Sequence, residues 1–115
     1  MDNIELISAP ITRPRLKEIA EKRFGDMVKG VVDIEKGIMA LGGELHADEE
    51  AFLLEKGSQQ KDLWGINLYP DMSGVDFLEF DSMINIRPSQ NNRSRYVEDP
   101  LIRQKILSIV GKLVP

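Results

Sequence analysis

Between Asp81 and Arg95 the chain reads DSMINIRPSQNNRSR, which brings Asp81, Asn85, Arg87, Asn92, Arg93 and Ser94 into one short stretch. Guanidinium groups flanked by amides and hydroxyls can grip a phosphate or carboxylate through paired, charge-assisted hydrogen bonds. A turning backbone can add N–H groups in a nest. From Arg87 to Arg95 there are three arginines and no acid, in a chain whose net charge is −4. A local positive site on an acidic protein suits a small anion better than a long polyanion. The expected ligand set is therefore Arg87 and Arg93 on the anion, Asn85, Asn92 and Ser94 orienting it, and Asp81 buttressing an arginine or touching the ligand. No strict phosphate-loop pattern is present. The competing reading is structural: Asn and Ser cap turns while the arginines pair with Glu79, Asp81 or Glu98.

A second chemistry is available at Glu44-Leu45-His46-Ala47-Asp48-Glu49, which holds the only histidine. His46 with Glu44, Asp48 or Glu49 could serve a divalent metal or acid–base hydrolysis. The plainer reading makes Asp48 a helix cap and the two following glutamates partners of the helix dipole. No metal and no cofactor is assigned. With one histidine, a Ser-His-acid triad could be built only on His46. Ser82 falls on the expected core side, so it is not taken as a nucleophile. The chain has no cysteine, which excludes disulfides and thiolate chemistry.

Aromatics beside a basic loop can stack bases, and Trp64, Tyr69 and Phe77 are candidates. Trp64, however, falls on the core face, and the net charge has the wrong sign, so nucleic-acid binding is not expected. Phe77 and Met83 are apolar residues on an otherwise polar sheet face. If no helix or N-terminal arm covers them, they form a patch suited to a second copy, and a homodimer is expected on that ground.

These groups need elements to hold them. Thr12 as N-cap, Pro14 just inside, and Leu16, Ile19, Ala20 and Phe24 at helical spacing predict a helix over 13–24, closed by Gly25. Residues 27–42 fit either a helix or a hairpin. Their β-branched content, Gly30 and Gly37, and the three-residue loop Glu35-Lys36-Gly37 favour the hairpin. A short helix is predicted after Asp48, ending at Lys56-Gly57. Residues 63–69 and 75–87 predict a second hairpin around YPDMSG, with Trp64 opposite Phe80 and Ile66 opposite Leu78. In that register Trp64, Ile66, Leu78, Phe80, Ile84 and Ile86 face the core. Asn67, Tyr69, Phe77, Glu79, Asp81, Asn85 and Arg87 face away. Asp99 and Pro100 open a last helix whose stripe is Ile102, Ile106, Ile109, Val110 and Leu113.

The expected fold is α+β, a two-layer structure in which two hairpins make an antiparallel sheet with helices mainly on one face. One domain over 1–115 is expected, with 1–12 as an arm or edge strand and 88–98 as a polar loop. MDNIELISAP has no basic n-region and no apolar core, so it does not read as a signal peptide, and no apolar run reaches membrane-spanning length. A cytoplasmic protein without membrane attachment is expected.

The segments GELHADEEAFLLEKGS, DLWGINLYP, FDSMINIRPSQNNRS and EDPLIRQKI resemble a family of short prokaryotic single-domain proteins of unknown function. The resemblance runs from Phe24 to Leu113. It implies a free-standing bacterial or archaeal domain, and it assigns no residue a role.

Overall fold

The computed structural model describes residues 3–115, so Met1 and Asp2 of the expected arm lie outside the described residues. Five strands form one antiparallel sheet: β1 (Glu5–Ile7), β2 (Val28–Asp33), β3 (Ile38–Leu41), β4 (Leu63–Leu68) and β5 (Leu78–Glu79), in the order β1-β3-β2-β4-β5. Three α-helices accompany them: α1 (Arg13–Glu21), α2 (His46–Glu55) and α3 (Pro100–Leu113). The fold is the expected α+β class.

Local chemistry sets most element ends. Thr12 Oγ1 accepts from Arg15 N–H at 3.1 Å and opens α1. The helix ends at Glu21, before the expected residue 24. The next residues tighten into a turn that Gly25 closes at φ +90°, its N–H on Ala20 O at 2.7 Å. The β2–β3 segment is the hairpin: Gly37 takes φ +69°, and Asp33 Oδ1 accepts from Glu35 and Lys36 N–H at 2.9 Å each. Asp99 caps α3 through Leu101 N–H at 2.8 Å, with Pro100 in its first turn. α2 starts earlier than expected. Its N-cap is Leu45, with no side-chain cap bond, so Asp48 is a first-turn acid rather than the cap.

Strand alternation explains the layering. Val28, Val32, Met39, Leu41, Trp64, Ile66 and Leu68 pack on α1 and α3 through Leu16, Ile19, Ala20, Ile106 and Val110. The other face of the same strands presents Val31, Ala40 and Leu63, which pack with Leu53 of α2. Two helices thus share one face, and α2 covers part of the other because β2 and β3 are apolar on both sides. Among the described residues, no helix is long and apolar enough to cross a membrane.

The predicted 75–87 strand is mostly absent. Only Leu78–Glu79 pairs with β4, as Leu68↔Leu78 and Asn67↔Glu79. That register is shifted by two residues from the expected one, so facing is preserved at the paired positions. Beyond Glu79 the chain leaves the sheet and forms a short 3₁₀ turn at Met83–Asn85. Ile84 packs in the α2-side cluster instead of facing with Trp64, and Ile86 is exposed. Phe77 is buried in the α1–α3 core under the guanidinium of Arg13, 3.8 Å from its ring centre. With Phe77 buried there, the expected Phe77–Met83 patch does not form, although Met83 is 64% exposed.

Candidate functional site

The 81–98 loop is held by its own polar groups. Asn85 is fully buried. Its Oδ1 accepts from Gly65 N–H at 2.8 Å, and its Nδ2 donates to Gly65 O and to Arg95 O at 3.0 Å each. One side-chain amide thereby supplies to β4 the donor and acceptor that a neighbouring strand would supply. Arg87 is also buried. Its guanidinium donates to the carbonyls of Gln60 and Leu63 and stacks 4.1 Å from the centre of the Trp64 ring. Asn92 Nδ2 donates to the carbonyls of Asn85 (2.7 Å), Ser94 (3.1 Å) and Tyr96 (2.7 Å), and its Oδ1 accepts from Glu98 N–H at 2.8 Å. Glu98 completes the arrangement: its Oε2 accepts from Arg93 N–H (2.9 Å), Ser94 N–H (2.9 Å) and Ser94 Oγ–H (2.8 Å). The Ser94 hydroxyl and these N–H groups hold the Glu98 carboxyl below the usual carboxylate range. The anion nest expected of the loop exists, and the anion in it is the chain's own carboxylate.

A cleft opens beside this loop. Across β2, β4 and β5 the register places Lys29 opposite Asn67, and Asn67 opposite Glu79. Residues paired in this way share a face, here the α2 face. α2 covers only the other end of that face, and its first residue, His46, stops at β4, with Nε2 2.8 Å from Ile66 O. The row left uncovered floors a cleft of about 550 Å³, walled by His46, Tyr69, Asp81, Met83 and Arg95. Tyr69, Glu79, Asp81 and Arg95 also line a second cleft of about 690 Å³ on the far side, with Asp76, Ser94 and the aromatic pair Phe80–Tyr96. The two clefts adjoin along these four shared residues and are together called the groove.

Hydrogen bonds fix the polar groups in the groove. Glu79 Oε1 accepts from Asn67 Nδ2 and from Tyr69 Oη, both at 2.9 Å. Asn67 Nδ2 also donates to Asp81 O at 3.2 Å, while its Oδ1 is buried without a partner. Burial and the Glu79 carboxylate push the Tyr69 phenol up to about 12, so it stays a donor. Arg95 Nε donates to Asp81 Oδ1 at 2.6 Å. Because Ile66 O can only accept, the imidazole proton sits on His46 Nε2, leaving Nδ1 as a lone-pair acceptor. Burial lowers the His46 pKa, and Lys29 adds to that; Ile66 O, Asn67 and Asp81 oppose it. The cleft therefore offers a neutral base, two carboxylates and two cations within one open space.

The family model "Protein of unknown function (DUF5674)" matches residues 5–113. The chain belongs to this family. No curated protein and no solved structure matches it. The DUF5674 match starts at β1 and ends with α3, so groove and loop both lie within it.

Of the six residues expected to hold a ligand, the DUF5674 structure brings Asp81 and Ser94 to the groove and leaves Arg93 exposed on the loop. It takes Asn85, Arg87 and Asn92 into the interior, where each is committed to backbone carbonyls. His46 does approach the 81–95 segment, since it lines the same cleft as Asp81 and Arg95. Among the described residues, no three His, Cys, Asp or Glu side chains are grouped to hold a metal ion. Lys29 and Arg95 are the groove residues that sequence reasoning missed. Aligning the two hairpins side by side would have put Lys29 in line with Asn67 and Glu79, because all three alternate onto one face.

Proposed function

We propose that this protein binds a small ligand carrying an anionic group, and that the ligand sits in the groove over Lys29, Asn67 and Glu79. The observation that carries this is convergence. Side chains from β2, the start of α2, the β4–β5 end and the 81–95 loop meet around one cleft that no helix covers. Concave sites with a few convergent polar groups are where small ligands bind. Lys29 and Arg95 take the role first expected of Arg87 and Arg93. Arg95 keeps Nη1 and Nη2 for a ligand while Nε holds Asp81.

The test is a thermal-shift screen of carboxylates and phosphates, followed by titration calorimetry of any stabilising compound. A ligand that binds the native state raises the melting temperature. Lys29→Met and Arg95→Ala should each weaken binding, whereas Arg93→Ala should not. Equal affinity in wild type and both groove variants would refute the site.

A second reading is favoured by one observation. His46, whose Nδ1 is the ring nitrogen not bonded to Ile66 O, shares the cleft with Asp81, so acid–base hydrolysis at the same place is chemically equipped. Hydrolysis of activated phosphate and carboxylate esters that His46→Gln abolishes would select this reading over simple binding.

A further inference from the structure

We propose that the ligand of this groove is amphoteric: it carries an ammonium or guanidinium group as well as its anion, with the two ends laid along the Lys29–Asn67–Glu79 row. This rests on the binding site proposed above and deepens it.

The row has opposite charges at its two ends and a neutral amide at its centre. Two inter-strand steps separate Lys29 from Glu79, a span of about 10 Å between backbones. Among the described residues Lys29 makes no ion pair; its ammonium sits 5.2 Å from the Phe24 ring centre. Glu79 likewise has no cationic partner. Its carboxylate is oriented by two neutral donors that both use Oε1, which leaves Oε2 without a hydrogen bond among the described residues. An exposed carboxylate usually needs no such fixing, since water satisfies it. Here Asn67, itself 6% exposed, contributes its amide to hold it.

The half of the groove beyond Glu79 fits a cation specifically. Asp76, Glu79 and Asp81 line it against one guanidinium, Arg95, which is already paired with Asp81. Tyr69 and Phe80 supply aromatic surface, and Tyr96 meets Phe80 edge to face at 5.9 Å while already carrying the Arg103 guanidinium 5.0 Å from its ring centre, a cation–π contact of the kind a ligand would make. Aromatic walls with nearby carboxylates bind organic ammonium and guanidinium groups through the negative ring faces and direct charge pairing. A bare metal ion would find no grouped ligand set among the described residues. The inner half, lined by Lys29 and by the side of Arg95 that does not hold Asp81, receives the anion.

Three probes of matched chain decide the matter: 6-aminohexanoate, hexanoate and hexylammonium, titrated into the full chain and followed by amide chemical shifts and calorimetry. 6-Aminohexanoate should bind about fivefold tighter than either single-ended probe, the gain of one modest extra ion pair. Its shifts should cover both Lys29 and Glu79. Glu79→Gln should reduce 6-aminohexanoate to the affinity of hexanoate, and Lys29→Met should reduce it to that of hexylammonium. Both substitutions are outside the core, and circular dichroism checks that each variant is folded. Equal binding of 6-aminohexanoate and hexanoate overturns the amphoteric ligand while leaving the anion site standing. Equal binding of 6-aminohexanoate and hexylammonium overturns the anion site. No shifts at the groove with any probe overturns both.

Discussion

Asn85→Ala should be among the most damaging single substitutions in this chain, and for a reason that its position in a loop conceals. Truncation removes three hydrogen bonds at once. It strands Gly65 N–H and Gly65 O in a buried strand, and it takes from Arg95 O one of its two donors, leaving Ser82 N–H at 3.1 Å. Each buried group left unpaired costs about 1–3 kcal/mol. Water entering the small cavity would relieve part of this, so a net loss of about 3 kcal/mol is expected. Against a domain stability of about 5–15 kcal/mol that is a large fraction. It corresponds to a fall in melting temperature of roughly 12 °C for a domain near this size. Urea unfolding followed by far-ultraviolet circular dichroism measures it directly. The variant Asn85→Asp sharpens the test. It keeps an acceptor for Gly65 N–H but turns a carboxylate toward two carbonyl oxygens, so its deficit at neutral pH should at least equal that of Asn85→Ala. The deficit should shrink in acid, where the protonated carboxyl regains a donor. A loss below about 1 kcal/mol for Asn85→Ala, the level of an ordinary surface change, would refute the role assigned to this amide.

Three further outcomes follow from the packing and titration of the chain. Gly65→Ala should destabilise by about 1–3 kcal/mol, because its new Cβ would meet Ser82 Cβ at 2.4 Å; thermal melts read this, and adding Ser82→Gly should recover most of it. The His46 imidazole should titrate below its ordinary 6.5 by ring-proton NMR and carry its single proton on Nε2. Just below pH 6.5 the unfolded chain then binds more protons than the native one, so stability should drop as the pH is lowered through that range, and His46→Gln should flatten that slope. Glu49 works in the opposite sense. Burial raises its carboxyl well above the ordinary 4.5, and among the described residues only Gly43 N–H, at 3.0 Å, bonds to it. Its contribution is complete below pH 4.5 and is lost as pH rises through the folded value, so Glu49→Gln should make urea midpoints less sensitive to rising pH.

Much of the scaffold was legible because its signals are local. Thr12 with Pro14, Asp99 with Pro100, and Gly37 after a β-branched run each act through bonds within a few residues. The alternation of Asn67 and Glu79 onto one face was also readable, and those two residues floor the groove. The 81–95 stretch was not readable in the same way. Its apolar–polar alternation imitates a strand, yet what holds it is Asn85 reaching across to Gly65 and Arg87 reaching back to Gln60 and Leu63, contacts that no local pattern encodes. Arginine and asparagine were expected to face a ligand because such residues are usually too polar to bury. They are buried here because backbone carbonyls consume their donors. Lys29 was overlooked for the converse reason: alone in a hairpin it is an ordinary lysine, and only the register of three strands gives it neighbours.

Trp64 is the single tryptophan of the chain, and it lies under the Arg87 guanidinium at the strand that Asn85 grips. Its indole is therefore a built-in optical reporter. Emission at its wavelength comes from one site, on the same strand as Asn67 but on its opposite face, and beside the loop anchor. Loosening of the 81–95 loop should shift that emission before the sheet melts, and a ligand that tightens the loop should shift it the other way. The protein can thus be titrated without an added label.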